Sequence, residues 1–97
     1  WVNIGRCIRR FHMAGVCHAD LNTHNVLLDA AGVVWLIDFD RASLRAPGMW
    51  SDGNLARLYR SAEKVALTLP PDRFATADWS SLLDGYFAET AALEAAA

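Results

Sequence analysis

The segment His18-Ala19-Asp20-Leu21-Asn22-Thr23-His24-Asn25-Val26-Leu27-Leu28, followed by Val33-Val34-Trp35-Leu36-Ile37-Asp38-Phe39-Asp40, decides how this chain is read. Two short apolar runs, rich in β-branched and aromatic residues, flank the turn-like Asp29-Ala30-Ala31-Gly32, a pattern that predicts a β-hairpin. Taking Ala31-Gly32 as a two-residue turn sets Asn25 directly opposite Asp38, with Cβ atoms about 4.5 to 5.5 Å apart. A slip of one residue sends the two side chains to opposite faces, so this expectation rests on the turn. Upstream, Val16-Cys17 reads as a short strand that delivers His18 to Asp20 as a tight loop beside the hairpin mouth.

A carboxylate, an amide and a second carboxylate, in that order, are the side chains that phosphoryl transfer needs. One receives the proton of an attacking hydroxyl and two hold the Mg²⁺ ions that neutralise the moving phosphoryl group. Asp20, Asn25 and Asp38 have the types for those three tasks. Taken singly, Asp20 and Asn22 read equally as turn caps. The ordered set in its hairpin context favours the chemistry.

His18-x-Asp20-x-x-x-x-Asn25, with Asp38-Phe39 closing an apolar strand, resembles the catalytic core of the protein-kinase-like superfamily. Three departures stand out. Ala19 replaces an Arg that pairs with a phosphorylated activation loop, Asn22 stands where Ser/Thr kinases carry Lys, and Asp40 replaces a Gly. All three argue against a protein substrate regulated in that way. The fuller string from His18 to Asp29, with Trp35-Leu36-Ile37-Asp38-Phe39-Asp40-Arg41 and Asn54-Leu55-Ala56-Arg57-Leu58, is similar to the 3-deoxy-D-manno-octulosonic acid (Kdo) kinases among the lipopolysaccharide kinases. The likeness is strongest from Gly15 to Lys64.

That resemblance implies ATP and Mg²⁺ as cofactors and the 4-hydroxyl of Kdo on lipid A as acceptor. It implies Asp20 as the catalytic base, Asn25 and Asp38 as the residues that hold the nucleotide's metal, and Asp40 as a further metal ligand or a support to one. His18 would buttress the loop. Asn54 reads either as a support for the loop backbone or as a helix N-cap. Arg41 and Arg45, just beyond the metal segment, suit an anionic sugar, since a guanidinium grips a carboxylate or phosphate with two hydrogen bonds. Arg57, Arg60 and Lys64 form a second basic stripe, read as a solvated face or as contact with substrate or an anionic membrane. The resemblance places the protein in the cytoplasm, peripheral on the cytoplasmic face of the inner membrane, with Kdo-lipid A or a similar anionic glycolipid as partner. Kinases of other small molecules or of lipopolysaccharide heptose share this residue logic, and a non-catalytic kinase-like interaction module is the alternative outside enzymes.

The fold class expected is α+β: a kinase-like C-terminal lobe, mainly helical, whose small hairpin carries the metal site. Kinases place a Gly-rich loop and a phosphate-binding Lys before the catalytic loop. Neither precedes Asp20 here, so residues 1–97 are read as one domain truncated at its N-terminus, with the N-terminal lobe absent. Ninety-seven residues, 54% of them hydrophobic, fit one lobe with a modest core. A net charge of −2 gives no reason to expect nucleic acid. The spacings of Cys7, His12, Cys17 and His18 match no familiar zinc pattern, so these are read as packed thiols and satisfied histidines.

Trp1, Ile4, Ile8 and Phe11 recur at helical spacing, predicting a first helix ended by Gly15. A second is expected from Asn54 to Leu69, with Leu55, Leu58, Tyr59, Ala62, Val65 and Leu69 on one face and Pro70-Pro71 as its stop. A third, capped by Thr76 or Asp78, carries Trp79, Leu82, Leu83, Tyr86, Phe87 and Leu93.

Overall fold

A computed structural model describes residues 1–46, 48–67 and 76–96. In chain order the elements are helix α1 (Val2–Met13), strand β1 (Val16–Cys17), a 3₁₀ turn (Thr23–Asn25), β2 (Val26–Leu28), β3 (Val34–Leu36), β4 (Ser43–Leu44), α2 (Trp50–Ala66) and α3 (Thr76–Ala96). The α+β class expected from the sequence is the one observed. The strands form two small antiparallel ribbons, β1 with β4 and β2 with β3.

The three helices supply most of the core. Ile8 from α1, Leu55 and Leu58 from α2, and Leu82 and Tyr86 from α3 are buried together around Leu21, which descends from the loop between β1 and β2. Ile4, Val26, Leu36, Trp79 and Leu83 close the edges. Burying Leu21 does more than add apolar area. It pins the backbone on which Asp20 sits, one residue away, to all three helices.

Helices α1 and α3 approach each other at two glycines. A methyl group at Gly5 would run into the Leu82 carbonyl oxygen, and one at Gly85 into the Val2 carbonyl oxygen. No other residue is small enough for backbone to pack on backbone here.

The hairpin forms, but in a register one residue from that expected. Val26 pairs with Leu36, Leu27 with Trp35 and Leu28 with Val34. The connection is therefore a three-residue loop, 30–32, closed by Asp29 N–H donating to the Val33 carbonyl at 3.0 Å. The cause is local. Gly32 takes a left-handed conformation (φ 82°), which gives the three-residue loop its closing bulge. Asp29 fills the loop with its carboxylate, accepting from the Ala31 and Val33 amides at 2.9 Å and from the Trp35 indole at 3.0 Å. These bonds hold the Asp29 carboxyl below its usual range, the Trp35 indole first among them.

Two helices also depart from expectation, α2 in its extent and α3 in its buried face. Helix α2 starts at Trp50, so Asn54 lies inside the helix rather than at its cap; its expected end near Leu69 and Pro70-Pro71 lies outside the described residues. In α3, Leu82 and Tyr86 are buried as expected, whereas Phe87 is turned out and exposed.

Candidate active site

Asp20 is held by its backbone from both ends. Its N–H donates to His18 Nδ1 at 3.1 Å and its carbonyl accepts from Asn25 Nδ2 at 2.9 Å. The other ring nitrogen of His18 lies 2.7 Å from the Ile37 carbonyl. A carbonyl only accepts, so Nε2 carries the ring proton and Nδ1 is the acceptor. His18 thus joins the loop of Asp20 to the strand end that precedes Asp38, and its ring packs on Phe39 with centroids 4.8 Å apart.

Asp38 follows β3 with φ at 62°, alone among the described non-glycine residues in the left-handed region. That conformation is costly for most residues and tolerated by Asp, and it marks a position held by its surroundings. In the expected register, strand pairing brings Asn25 and Asp38 face to face. In the observed one, Asn25 pairs across to Ile37, whose N–H donates to the Asn25 carbonyl at 3.0 Å. Asn25 is buried, and its Nδ2 is spent on the Asp20 carbonyl.

Asp38 instead shares a cavity of about 560 Å³ with Asp20, Asp40, Arg41 and Arg57. Of the sequence candidates, Asp20, Asp38, Asp40 and Arg41 therefore come together. Arg45 does not line that cavity: its guanidinium Nε donates to Ser43 Oγ at 3.2 Å along β4, and the side chain is exposed.

Arg57 joins the site from α2, and nothing in the sequence pattern pairs it with Asp20. Its Nη2 lies 3.0 Å from Asp20 Oδ1, which also accepts from Asn22 Nδ2 at 3.2 Å. The guanidinium first, and then the Asn22 amide, hold the Asp20 carboxyl below its ordinary value. Both bonds fall on Oδ1, leaving Oδ2 without a partner among the described residues. Arg57 stands one helical turn after Asn54, whose Nδ2 donates to the His18 carbonyl at 2.8 Å. A residue at that spacing on the same face meets the loop close to where Asn54 does.

The oxygen donors suit a hard divalent cation. Among the described residues no three His, Cys, Asp or Glu side chains form a ready metal cage. Mg²⁺ is commonly held by one or two carboxylates together with substrate phosphates, and Asp38 and Asp40 on one cavity wall meet that requirement.

The model of the lipopolysaccharide kinase (Kdo/WaaP) family matches residues 1–86. The chain belongs to this family. Among curated relatives, proteins named 3-deoxy-D-manno-octulosonic acid kinase are 61% identical in Xylella fastidiosa (strain M12), 59% in Xanthomonas campestris pv. campestris (strain B100) and 56% in Xanthomonas euvesicatoria pv. vesicatoria (strain 85-10). Each match runs over 66 residues, 67% of this chain and 26% of the relative. The chain thus spans about a quarter of the length of these relatives.

In this lipopolysaccharide kinase family member, the loop is also supported from behind by a buried chain of hydrogen bonds. Asn54 Oδ1 faces His12 Nε2 at 2.9 Å, and His12 Nδ1 faces the Tyr86 hydroxyl at 2.7 Å. Because the Asn54 amide nitrogen is spent on the His18 carbonyl, Oδ1 must accept. His12 Nε2 is then the donor and Nδ1 accepts from Tyr86. Arg9 Nη1 in turn donates to the Tyr86 oxygen at 2.9 Å. His12 continues the stripe of Ile4 and Ile8 at steps of four, which is how a buried polar residue shows itself in a sequence.

Burial pushes the His12 pKa down; the Asn54 hydrogen bond and Asp52 oppose the shift, and the Arg9 charge adds to it. A histidine lowered in the fold is protonated first in the unfolded chain, so stability is full above about 6.5 and falls as pH drops from there through the lowered folded value. Unfolding in urea from pH 7.5 to 5 is expected to show this decline, with a slope of at most about 1.4 kcal/mol per pH unit from His12. The His12→Gln variant is expected to lose that part of the slope. Equal slopes in the two proteins reject the assignment.

Proposed function

We propose that this chain is the kinase-like lobe of an enzyme that transfers the γ-phosphoryl group of ATP to the 4-hydroxyl of Kdo on lipid A. The observation that carries the reading is the cavity shared by Asp20, Asp38 and Asp40 with Arg41 and Arg57. Membership of the lipopolysaccharide kinase family supports the reaction class, and relatives named Kdo kinase support the acceptor.

In this reading the acceptor hydroxyl lies against Asp20 Oδ2. A new O–P bond forms as the bond from the γ-phosphorus to ADP breaks, and the hydroxyl proton passes to Asp20. Arg57 keeps Asp20 ionised beforehand and fixes the direction of its free oxygen. Asp38 and Asp40, with Asn25 through its amide oxygen, would hold Mg²⁺, which when bound neutralises phosphate charge, while Asn25 Nδ2 fixes the Asp20 carbonyl. Arg41 is placed to meet the sugar carboxylate. The acceptor is a membrane glycolipid in this reading, which puts the protein at the cytoplasmic face of the inner membrane.

The test is a product assay with the full chain as the cell makes it, supplied with ATP, Mg²⁺ and either Kdo-lipid A or heptosylated core. Phosphate on the Kdo 4-hydroxyl supports the proposal. Transfer only to heptose, or to neither acceptor, overturns it.

A further inference from the structure

A second cavity, of about 370 Å³, lies between α2 and the turn that follows Asp20. Arg57, Arg60, Ser61, Lys64 and Val65 line it from the helix, and Asn22 and His24 line it from the turn. Ser61 Oγ accepts the Thr23 N–H at 3.0 Å, which fastens the turn to the helix and fixes the cavity's shape. None of the described residues lining it is acidic, in a chain whose net charge is −2. Arg60 and Lys64 have no carboxylate partner among the described residues. Three like charges at intervals of three and four on one helix face repel one another, a cost that a bound anion relieves.

Arg57 lines both this cavity and the one holding Asp20. A ligand that reaches from one to the other passes the guanidinium that is bonded to the proposed base. Resting on the acceptor reading above, we infer that the second cavity binds a phosphate monoester carried by the acceptor glycolipid, held by Arg60, Lys64 and His24. Planar guanidinium and flexible ammonium groups together suit a phosphate's three oxygens. The concave shape and the shared Arg57 favour a substrate group over the flat surface of a membrane. The site measures the distance from that phosphate to the reacting hydroxyl, and so selects acceptors by where they carry negative charge.

The experiment is equilibrium binding to the full chain, without ATP, of a phosphorylated glucosamine disaccharide and of the same disaccharide without phosphate. Arg60 and Lys64 are exposed, so the Arg60→Gln/Lys64→Gln variant keeps the fold. The phosphorylated sugar is expected to bind the variant more weakly, on the order of tenfold for each charge-assisted hydrogen bond removed, with the unphosphorylated sugar unaffected. Equal effects on both sugars, or no effect on either, overturn the inference. So does a weakening seen only with vesicles of phosphatidylglycerol, which assigns these cations to the membrane. Because the measurement needs no turnover, charge-dependent binding by a protein that fails to phosphorylate Kdo sustains this site and rejects only the kinase reading.

Discussion

Replacing Asp20 by Asn is expected to cut the proposed phosphoryl transfer to Kdo by roughly 10²- to 10⁴-fold, the usual worth of a positioned general base. The substitution keeps the side-chain shape and removes the carboxylate's charge together with its capacity to take a proton. The backbone bonds of Asp20 to His18 and Asn25 do not involve its side chain, and Leu21 stays in the core, so the loop holds its position. The effect is expected in kcat, with the thermal unfolding midpoint little changed. Arg57 sharpens the contrast: its partner becomes a neutral amide, so the cation turns from a clamp on a carboxylate into an unpaired charge at the cavity wall. An Asp20→Asn enzyme with near-normal turnover would remove Asp20 from the chemistry and leave its ion pair as a surface feature.

The largest effect on stability is expected from Gly5→Ala or Gly85→Ala. Each added methyl meets a carbonyl oxygen of the facing helix, and backbone cannot step aside as a side-chain tip can. Overpacking of this kind costs about 3 kcal/mol, the upper part of the usual range. A domain of this length is held by only about 0.05 to 0.15 kcal/mol per residue, so the loss is a large share of the whole. Gly53→Ala in α2 is the control, since nothing lies within 4 Å of the added carbon and the helix gains from losing a glycine. Urea midpoints are expected to fall sharply for the first two variants and to hold or rise for the third. Tolerance of alanine at both Gly5 and Gly85 would mean that α1 and α3 do not cross this closely. The two sites touch the same interface, so their effects are not expected to add.

Local chemistry was the legible part. The apolar stripes of α1, α2 and α3 were readable because helical periodicity is written in neighbouring residues, and the hairpin because apolar runs bracket a turn. The order His18, Asp20, Asn25, Asp38 was readable because a loop and a hairpin confine it to one short stretch of chain. The register was not. A two-residue hairpin turn needs positive φ at its first residue, which Ala31 disfavours, whereas Gly32 suits the left-handed close of a three-residue loop that the Asp29 carboxylate fills by capping two amides and an indole. In the observed register Asn25 stands opposite Ile37 rather than Asp38, and its Nδ2 braces the Asp20 carbonyl.

Composition and spacing along the chain were enough for the α+β class, the three helices and the central hairpin, since each depends on residues a few positions apart. Three features needed the folded chain: the Arg57 to Asp20 pair, the relay from Tyr86 through His12 and Asn54 to His18, and the glycine crossing of α1 and α3. Asp20 and Arg57 lie 37 positions apart, and His12 and Tyr86 lie 74 apart. Such pairs leave no periodic trace in sequence, because their partners are chosen by how the helices dock, and docking is set by the shape of the whole core.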